Sequence, residues 1–178
     1  MNRGERFLEW LEALKGKKAW RPARAALRRS LAFPPGAYPK AMPYVEPFIW
    51  EADRERNEQE AHYLEEREAY YLVAALYALK DGAHQKGRTL ARALREKARE
   101  SDSVEKRFRA LLDADRDQIA FRLRRAVALV EGGLDFAQLL DDLLEWFEFK
   151  GLRVRARWAR EFYGTEASEE EKEKEVEA

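Results

Sequence analysis

Apolar side chains recur every three or four residues along nearly the whole chain. The spacing appears in Phe7, Leu11 and Leu14 near the start, and again in Val104 and Phe108. Residues three and four apart share one face of an α-helix, so each series marks the inner face of an amphipathic helix. The chain has no run of alternating Val, Ile and Thr bounded by hairpin turns, which a sheet would need. The sequence therefore predicts an all-α bundle of about seven to nine helices in two packed subdomains.

Glycine, proline and capping residues divide this pattern into separate helices. Gly16 ends the first helix, and Pro22 lies in the first turn of a second helix that runs to about Leu31. The five prolines of FPPGAYPKAMPYVEPF forbid a continuous helix, so this stretch is predicted to be a loop packed onto the body. Two further helices are predicted in the middle of the chain, one over residues 88–99 and one that begins after the capping sequence SDS. Three more follow: one from Asp115 to Glu131, one that Asp135 caps within LDFAQLLDDLLEWF, and one over RVRARWAREFY that ends at Gly164.

Two segments are dominated by acidic charge. Residues 51–68 hold eight acidic and three basic side chains, and they lead into AYYLVAALYALK, which is predicted to be a buried helix. The acidic run is either the solvated N-terminal extension of that helix or a flexible insertion. Residues 164–178 hold seven Glu and two Lys, which predicts a disordered acidic tail. The predicted organisation is an N-terminal helical subdomain over 1–100, a C-terminal one over 101–163, and the tail.

The part of the chain before the acidic tail carries a net positive charge, although the whole chain is balanced. Lys+Arg and Asp+Glu total 34 each, but without the tail 32 basic and 27 acidic residues remain, a net charge of +5. The chain has no cysteine, which excludes disulfides, thiol catalysis and thiolate metal sites. No segment approaches the roughly 18 apolar residues of a membrane span, and the N-terminus lacks the apolar run of a signal peptide. We expect a cytoplasmic protein without membrane contact.

Residues that could carry catalysis are few. The chain has four Ser, two Thr and two His, and its serines fall at predicted helix ends or in the tail, where capping explains most of them. It has no glycine-rich phosphate loop and no zinc-binding spacing. We therefore predict no enzyme and no cofactor. The alternative is a metal-dependent nuclease built on acidic residues, namely Asp113, Asp115, Asp117, Asp141 and Asp142.

Arginines form stripes at helical spacing beside the apolar faces. For any single stripe, a solvated helix face with local ion pairs explains the pattern, but several stripes of one sign attract polyanions. Arginine forks bind phosphate oxygens, so contact with nucleic acid without sequence preference is the natural use. The stripes are Arg21, Arg24 and Arg28; Arg88, Arg92, Arg95 and Arg99; Arg122 and Arg125, with Arg124 on the opposite flank; and Arg153, Arg157 and Arg160.

Six segments in a fixed order resemble a known family. They are ALRRS followed by AMPYVEPF, then YYLVAALYALK, SVEKRFRALLDADRDQIAFRLRRAVALV, LDFAQLLDDLLEWF and VRARWAREFY. None is a catalytic signature, but their order and spacing over nearly all of residues 3–163 resemble the CasB family, the small subunit of the type I-E CRISPR Cascade complex. The resemblance implies an all-helical, non-catalytic subunit that sits as a pair in the complex. It also implies binding to nucleic acid without sequence preference and support of the R-loop along the displaced strand.

The resemblance also implies specific partners and positions. The expected partners are single-stranded DNA or RNA, the other Cascade subunits with guide RNA, and a second copy of the chain. The alternative is a helical protein–protein scaffold without direct nucleic-acid contact. The basic positions that match the family are Arg28, Arg29, Lys86, Arg88, Lys106, Arg107, Arg124, Arg125, Arg155 and Arg157.

Overall fold

The computed structural model describes residues 1–53 and 60–164. Within these ranges the chain forms nine α-helices, a short 3-10 turn over Pro39–Ala41 and no strand, apart from one isolated bridge between His84 and Leu134. The all-α prediction is confirmed. The helices are α1 (Arg3–Lys15), α2 (Trp20–Ser30), α3 (Met42–Asp53), α4 (Glu60–Leu79), α5 (Leu90–Ala98), α6 (Ser103–Leu112), α7 (Arg116–Leu129), α8 (Phe136–Glu145) and α9 (Gly151–Tyr163).

The helix ends follow the capping residues in the sequence. Asp115 and Asp135 are the N-caps of α7 and α8, as predicted, and Asp135 accepts a hydrogen bond from the backbone N–H of Gln138 at 3.0 Å. Such a bond satisfies one of the N–H groups that the first turn leaves without a partner. Helix α7 ends at Leu129, two residues before the predicted end at Glu131. Gly164 ends α9, as predicted.

The second half of the proline-rich segment is a helix, which corrects the prediction of a loop. Helix α3 begins at Met42 and contains Pro47. Pro43 lies in its first turn, where a missing N–H costs nothing, and Pro47 removes one bond within the helix. Pro47 is exposed, so water can reach the carbonyl that it leaves without a donor, while Val45 and Ile49 on the other face are buried. Burial of that face compensates for the lost bond.

Helix α4 lies at the centre of the fold. Every residue from 69 to 78 is buried, because α2, α3, α7 and α8 all pack against this helix. A helix that is apolar all round belongs inside a core, and the buried helix predicted from AYYLVAALYALK is confirmed. The stretch from Glu60 continues α4 towards its N-terminus, while residues 54–59 of the predicted acidic insertion lie outside the described residues.

The remaining helices form a second set of contacts around α5 and α8. Helix α5 packs on α6 and α9, α6 packs on α7, and α8 packs on α1 and α9. Trp146 and Trp158 are fully buried in edge-to-face contact, with ring centroids 5.0 Å apart. The division into subdomains at residue 100 stays a prediction, and the predicted tail beyond residue 164 lies outside the described residues. None of the helices in the described part of the chain combines the length and the hydrophobicity of a transmembrane span.

Candidate nucleic-acid interface

Helix α2 presents most of its arginines to solvent. Its inner face is Ala23, Leu27 and Ser30, all buried, so the arginines fall on the outer side of the helix. Arg28 and Arg29 are exposed in the last turn and have no ion-pair partner among the side chains that the structure describes. The outer side of α2 therefore carries positive charge that the described part of the chain does not neutralise.

The other two arginines of α2 differ from each other. Arg21 is exposed in the first turn. Arg24 instead forms an ion pair with Asp81 at 2.5 Å, in the turn after α4. The predicted stripe of Arg21, Arg24 and Arg28 is thus interrupted at its middle member by a local carboxylate.

Arg124 joins α7 to the end of α2. Its Nη1 donates to the carbonyl oxygen of Leu31, the C-cap of α2, at 3.2 Å. The last carbonyls of a helix carry partial negative charge, which explains why a guanidinium lies there. Arg124 stays exposed, and it makes no ion pair among the described residues. Arg124 of α7 thus reaches the C-terminal end of α2, whose last turn carries Arg28 and Arg29, and we call these three residues the α2–α7 basic edge.

A groove of about 490 Å³ lies beside this edge. The chain after α2 forms one wall, and α4, α7 and α8 form the rest, with apolar side chains such as Leu72, Ile119 and Leu144 along it. Phe33 and Phe121 line the groove and are 43% and 61% exposed. Such exposure is unusual for phenylalanine. Because both rings line the groove, they lie next to the α2–α7 basic edge.

These two rings were not among the site residues predicted from the sequence. Phe121 lies off the apolar face formed by Ile119, Leu123 and Val127, and this offset is a signal that the sequence does carry. Arg125 lies over the Phe121 ring, 5.5 Å from its centroid, so this predicted basic residue is exposed and stacked on an aromatic side chain. Phe33 follows α2 in the proline-rich segment, where helical periodicity gives no guidance.

The turn before α5 holds a second group of predicted basic residues. Lys86 is exposed, and Arg92, also exposed, donates to the Gly87 carbonyl at 3.0 Å. Arg88 is only part-exposed because its guanidinium is used inside the protein. It donates to the carbonyls of Glu131 and Gly133 at 2.9 and 2.6 Å and pairs with Glu96 at 3.0 Å.

Other predicted residues along α5 and on the pair α6 and α7 also differ in their contacts. Arg95 is half-buried on α5. On α6, Lys106 is exposed and Arg107 is half-buried. On α7, Arg122 donates to the carbonyl of Ala110 and so ties α7 to α6. Of these four residues only Lys106 is both exposed and without an ion pair among the described side chains.

The arginines of α9 do not act as one row. Arg153 and Arg160 are exposed. Arg155 lies over the Trp146 ring, 5.1 Å from its centroid. Arg157 pairs with buried Asp142; burial opposes its charge, but the hydrogen bond and the attraction of Asp142 outweigh that cost and raise the pKa of Arg157. The two middle positions therefore support the core, and the outer two remain available.

Three of the five aspartates considered for a nuclease have structural uses. Asp142 is 3% exposed and accepts hydrogen bonds from the Trp158 indole at 2.7 Å and the Gln138 amide at 3.0 Å. Asp141 accepts from the backbone N–H of Gly4 at 2.8 Å, and Asp115 caps α7. Among the described residues there is no group of three or more acidic or histidine side chains that could hold a metal ion.

The chain is similar to CRISPR-associated proteins. A family model described as CRISPR-associated protein Cse2 matches residues 23–163. A CRISPR-associated protein Cse2 of Thermus thermophilus is 72% identical over 178 residues, which is 100% of both chains. The crystal structure of CasB from Thermus thermophilus superimposes with a TM-score of 0.83 at 70% identity, covering 93% of this chain and 100% of that one. CasB from M. ruber gives a TM-score of 0.75 at 32% identity, covering 96% and 97%. The chain therefore belongs to the Cse2 family of CRISPR-associated proteins.

Proposed function

We propose that this chain is a non-catalytic subunit of a CRISPR surveillance complex of the Cascade type. In this role it binds single-stranded DNA or RNA without sequence preference and helps to hold the R-loop open. Its partners are the other Cascade subunits with their guide RNA and a second copy of the chain, and it works in the cytoplasm. The observation that carries the proposal is the α2–α7 basic edge, where Arg124 contacts the end of α2 and neither it nor Arg28 and Arg29 of the last turn has an ion-pair partner among the described side chains.

The chemistry of this edge suits a sugar-phosphate backbone. Guanidinium groups donate pairs of hydrogen bonds to phosphate oxygens, and each neutralised phosphate releases counterions into solution. Neither interaction depends on which base is attached. The exposed cations Lys86, Lys106, Arg153 and Arg160 supply further positive charge on other elements. Binding through this edge is therefore electrostatic and independent of sequence.

Strand binding would act on the R-loop by shifting an equilibrium. Replacing the DNA duplex with an RNA–DNA hybrid is nearly balanced in free energy, so a few kcal/mol can decide the outcome. The closed duplex offers no displaced strand, and a subunit that binds this strand stabilises only the open state. The chain thus needs only modest affinity to favour the R-loop.

The test is a fluorescence anisotropy titration of the purified chain with labelled single-stranded oligonucleotides at several salt concentrations. We expect log Kd to change linearly with log salt, with a slope of roughly 0.7 per phosphate neutralised. Arg28→Glu and Arg124→Glu each lower the affinity for all sequences alike and reduce the slope. Arg6→Glu is the matched control, because Arg6 is exposed on α1 and belongs to none of the predicted stripes. A slope near zero, or an equal effect of all three substitutions, would contradict the proposal.

A protein–protein scaffold is the second candidate, and one observation favours it. Phe149 and Leu152, beside the start of α9, are 99% and 75% exposed, and contact with another protein would bury this apolar surface. A pure scaffold would bind no free oligonucleotide at any salt concentration. In that case Phe149→Ser and Leu152→Ser would prevent assembly of the complex, while Arg28→Glu would leave it unchanged.

A further inference from the structure

Each exposed ring at the groove is supported on one side by another side chain. Tyr38 stacks on Phe33, with centroids 4.9 Å apart and planes 7° apart, and the Arg125 guanidinium lies over Phe121. These contacts hold the rings in place, yet 43% of Phe33 and 61% of Phe121 remain exposed. A ring that is fixed on one side and open on the other loses little entropy when a flat partner stacks on it.

The charges around the groove are distributed unevenly. Arg124 lies near the end of α2, whereas Asp117 lies two turns earlier on α7, about 10 Å away along the helix. The same groove is also lined by Arg116 and by Glu66, whose carboxylate is paired with Arg3 at 2.8 Å. A phosphate is therefore attracted to the α2–α7 basic edge, where Arg124 has no ion-pair partner among the described residues. A strand whose phosphates contact this edge can turn its bases towards the apolar interior of the groove.

We propose that Phe33 and Phe121 are stacking platforms for unpaired bases, so that the groove selects single strands over duplexes. The inference rests on the proposed nucleic-acid binding and adds the residues that contact the bases and so favour a single strand. In a duplex the bases are stacked on each other and cannot reach the rings, whereas a single strand exposes them. The arginines hold the backbone of either form, and the rings supply the discrimination.

The experiment separates stacking from charge by using a strand without bases. Anisotropy titrations compare a labelled oligo-dT with an oligonucleotide of the same length made of abasic sites, which has the same phosphates. The unmodified chain is expected to bind oligo-dT more tightly, by about five- to a hundredfold for each stacked base. Phe121→Ala and Phe33→Ala reduce this ratio towards one, with little change in the affinity for the abasic strand or in the salt slope.

Matched variants distinguish base stacking by Phe33 and Phe121 from a purely structural role of these residues. Phe121→Tyr keeps an aromatic ring, so the ratio of the affinities for oligo-dT and the abasic strand stays as in the unmodified chain. Phe121→Leu keeps apolar bulk without a ring, so this ratio falls towards one. Phe33→Leu serves the same purpose where Phe33→Ala disturbs Tyr38. Phe149→Ala is the control, because Phe149 is 99% exposed but does not line the groove. Circular dichroism of each variant verifies that the helices are intact.

The possible outcomes have different meanings. Equal affinity of the unmodified chain for both strands, with a normal salt slope, would overturn base stacking and leave the proposed function standing. Absence of binding to either strand would overturn the proposed function and the stacking with it. If Phe121→Ala changed the sedimentation of the chain but not the ratio, the groove would bind a second copy, and the stacking proposal would be wrong.

Discussion

The indole N–H of Trp158 donates to the carboxylate of Asp142 at 2.7 Å, inside the contact between α8 and α9. The same carboxylate accepts from Gln138 and pairs with Arg157, so three side chains depend on it. Asp142 is 3% exposed, and a charge so buried is tolerated only because these donors surround it. The pair Asp142 and Trp158 therefore fixes how α9 sits on α8.

The first prediction is that Asp142→Ala destabilises the fold strongly. The substitution leaves the Trp158 N–H without its acceptor and Arg157 without its main carboxylate, at a cost of about 3 kcal/mol or more. Asp142→Asn removes the charge but keeps an acceptor, so its loss is smaller. Urea unfolding followed by circular dichroism measures both, with exposed Asp113→Ala as control. A change below about 1 kcal/mol for Asp142→Ala would show that the contact is not structural.

The helices and their ends were predictable from the sequence because they depend on local features. Periodic apolar residues and capping aspartates at 115 and 135 act within a few residues, and the structure agrees with them. Helix α3 was missed because its stability comes from the burial of Val45 and Ile49 against distant helices, which outweighs Pro47. The i, i+4 spacing of Val45 and Ile49 is a local signal of this helix, but the sequence does not show that their burial outweighs the prolines.

The candidate site was predictable only in part, for a related reason. Helical spacing places arginines on outer faces, and Arg28 and Arg124 do lie there. The spacing does not show which carboxylate or carbonyl another element supplies. Arg24 meets Asp81, Arg88 meets the carbonyls of Glu131 and Gly133, and each of these contacts joins segments far apart in sequence.

The second prediction concerns pH and Asp141. Burial raises the pKa of this carboxyl, the neighbouring charge of Asp142 adds to the effect, and the hydrogen bond from the Gly4 N–H opposes it. A carboxyl whose pKa is higher in the folded than in the unfolded state stabilises the fold most when it is protonated in both. That contribution is lost as pH rises above the ordinary value of about 3.9.

Asp141→Asn removes this titration but keeps an oxygen that can accept from Gly4. The variant therefore gains stability relative to the unmodified chain as pH rises from about 4, and the difference levels off once the folded carboxyl has ionised. Urea unfolding at a series of pH values measures the difference, and the exposed Asp113→Asn is the control. A difference that shrinks as pH rises would contradict the direction of the shift.

The third prediction concerns the close approach of α1 to α8. A Cβ added at Gly4 would lie 2.0 Å from the Ala137 carbonyl oxygen and 2.9 Å from the Asp141 carboxyl carbon. Gly4→Ala therefore forces the two helices apart and weakens the bond to Asp141, at a cost of about 1–3 kcal/mol or more. Gly16→Ala is the matched control: its added Cβ comes no closer than 3.6 Å and its φ is −72°, so it is neutral or slightly stabilising. Thermal unfolding compares the two, and similar melting temperatures would contradict the close contact.

The fourth prediction separates two arginines of one stripe. Arg88 donates to two main-chain carbonyls and pairs with Glu96, whereas Arg92 is exposed and makes a single bond to Gly87. Arg88→Lys keeps the charge but loses the planar fork that reaches several acceptors, so it costs about 1–3 kcal/mol of stability. Arg92→Lys stays within about 0.5 kcal/mol. Urea unfolding measures both. If Arg88→Lys proved neutral in unfolding while still weakening oligonucleotide binding, Arg88 would be a phosphate contact rather than a clamp on the 131–133 loop.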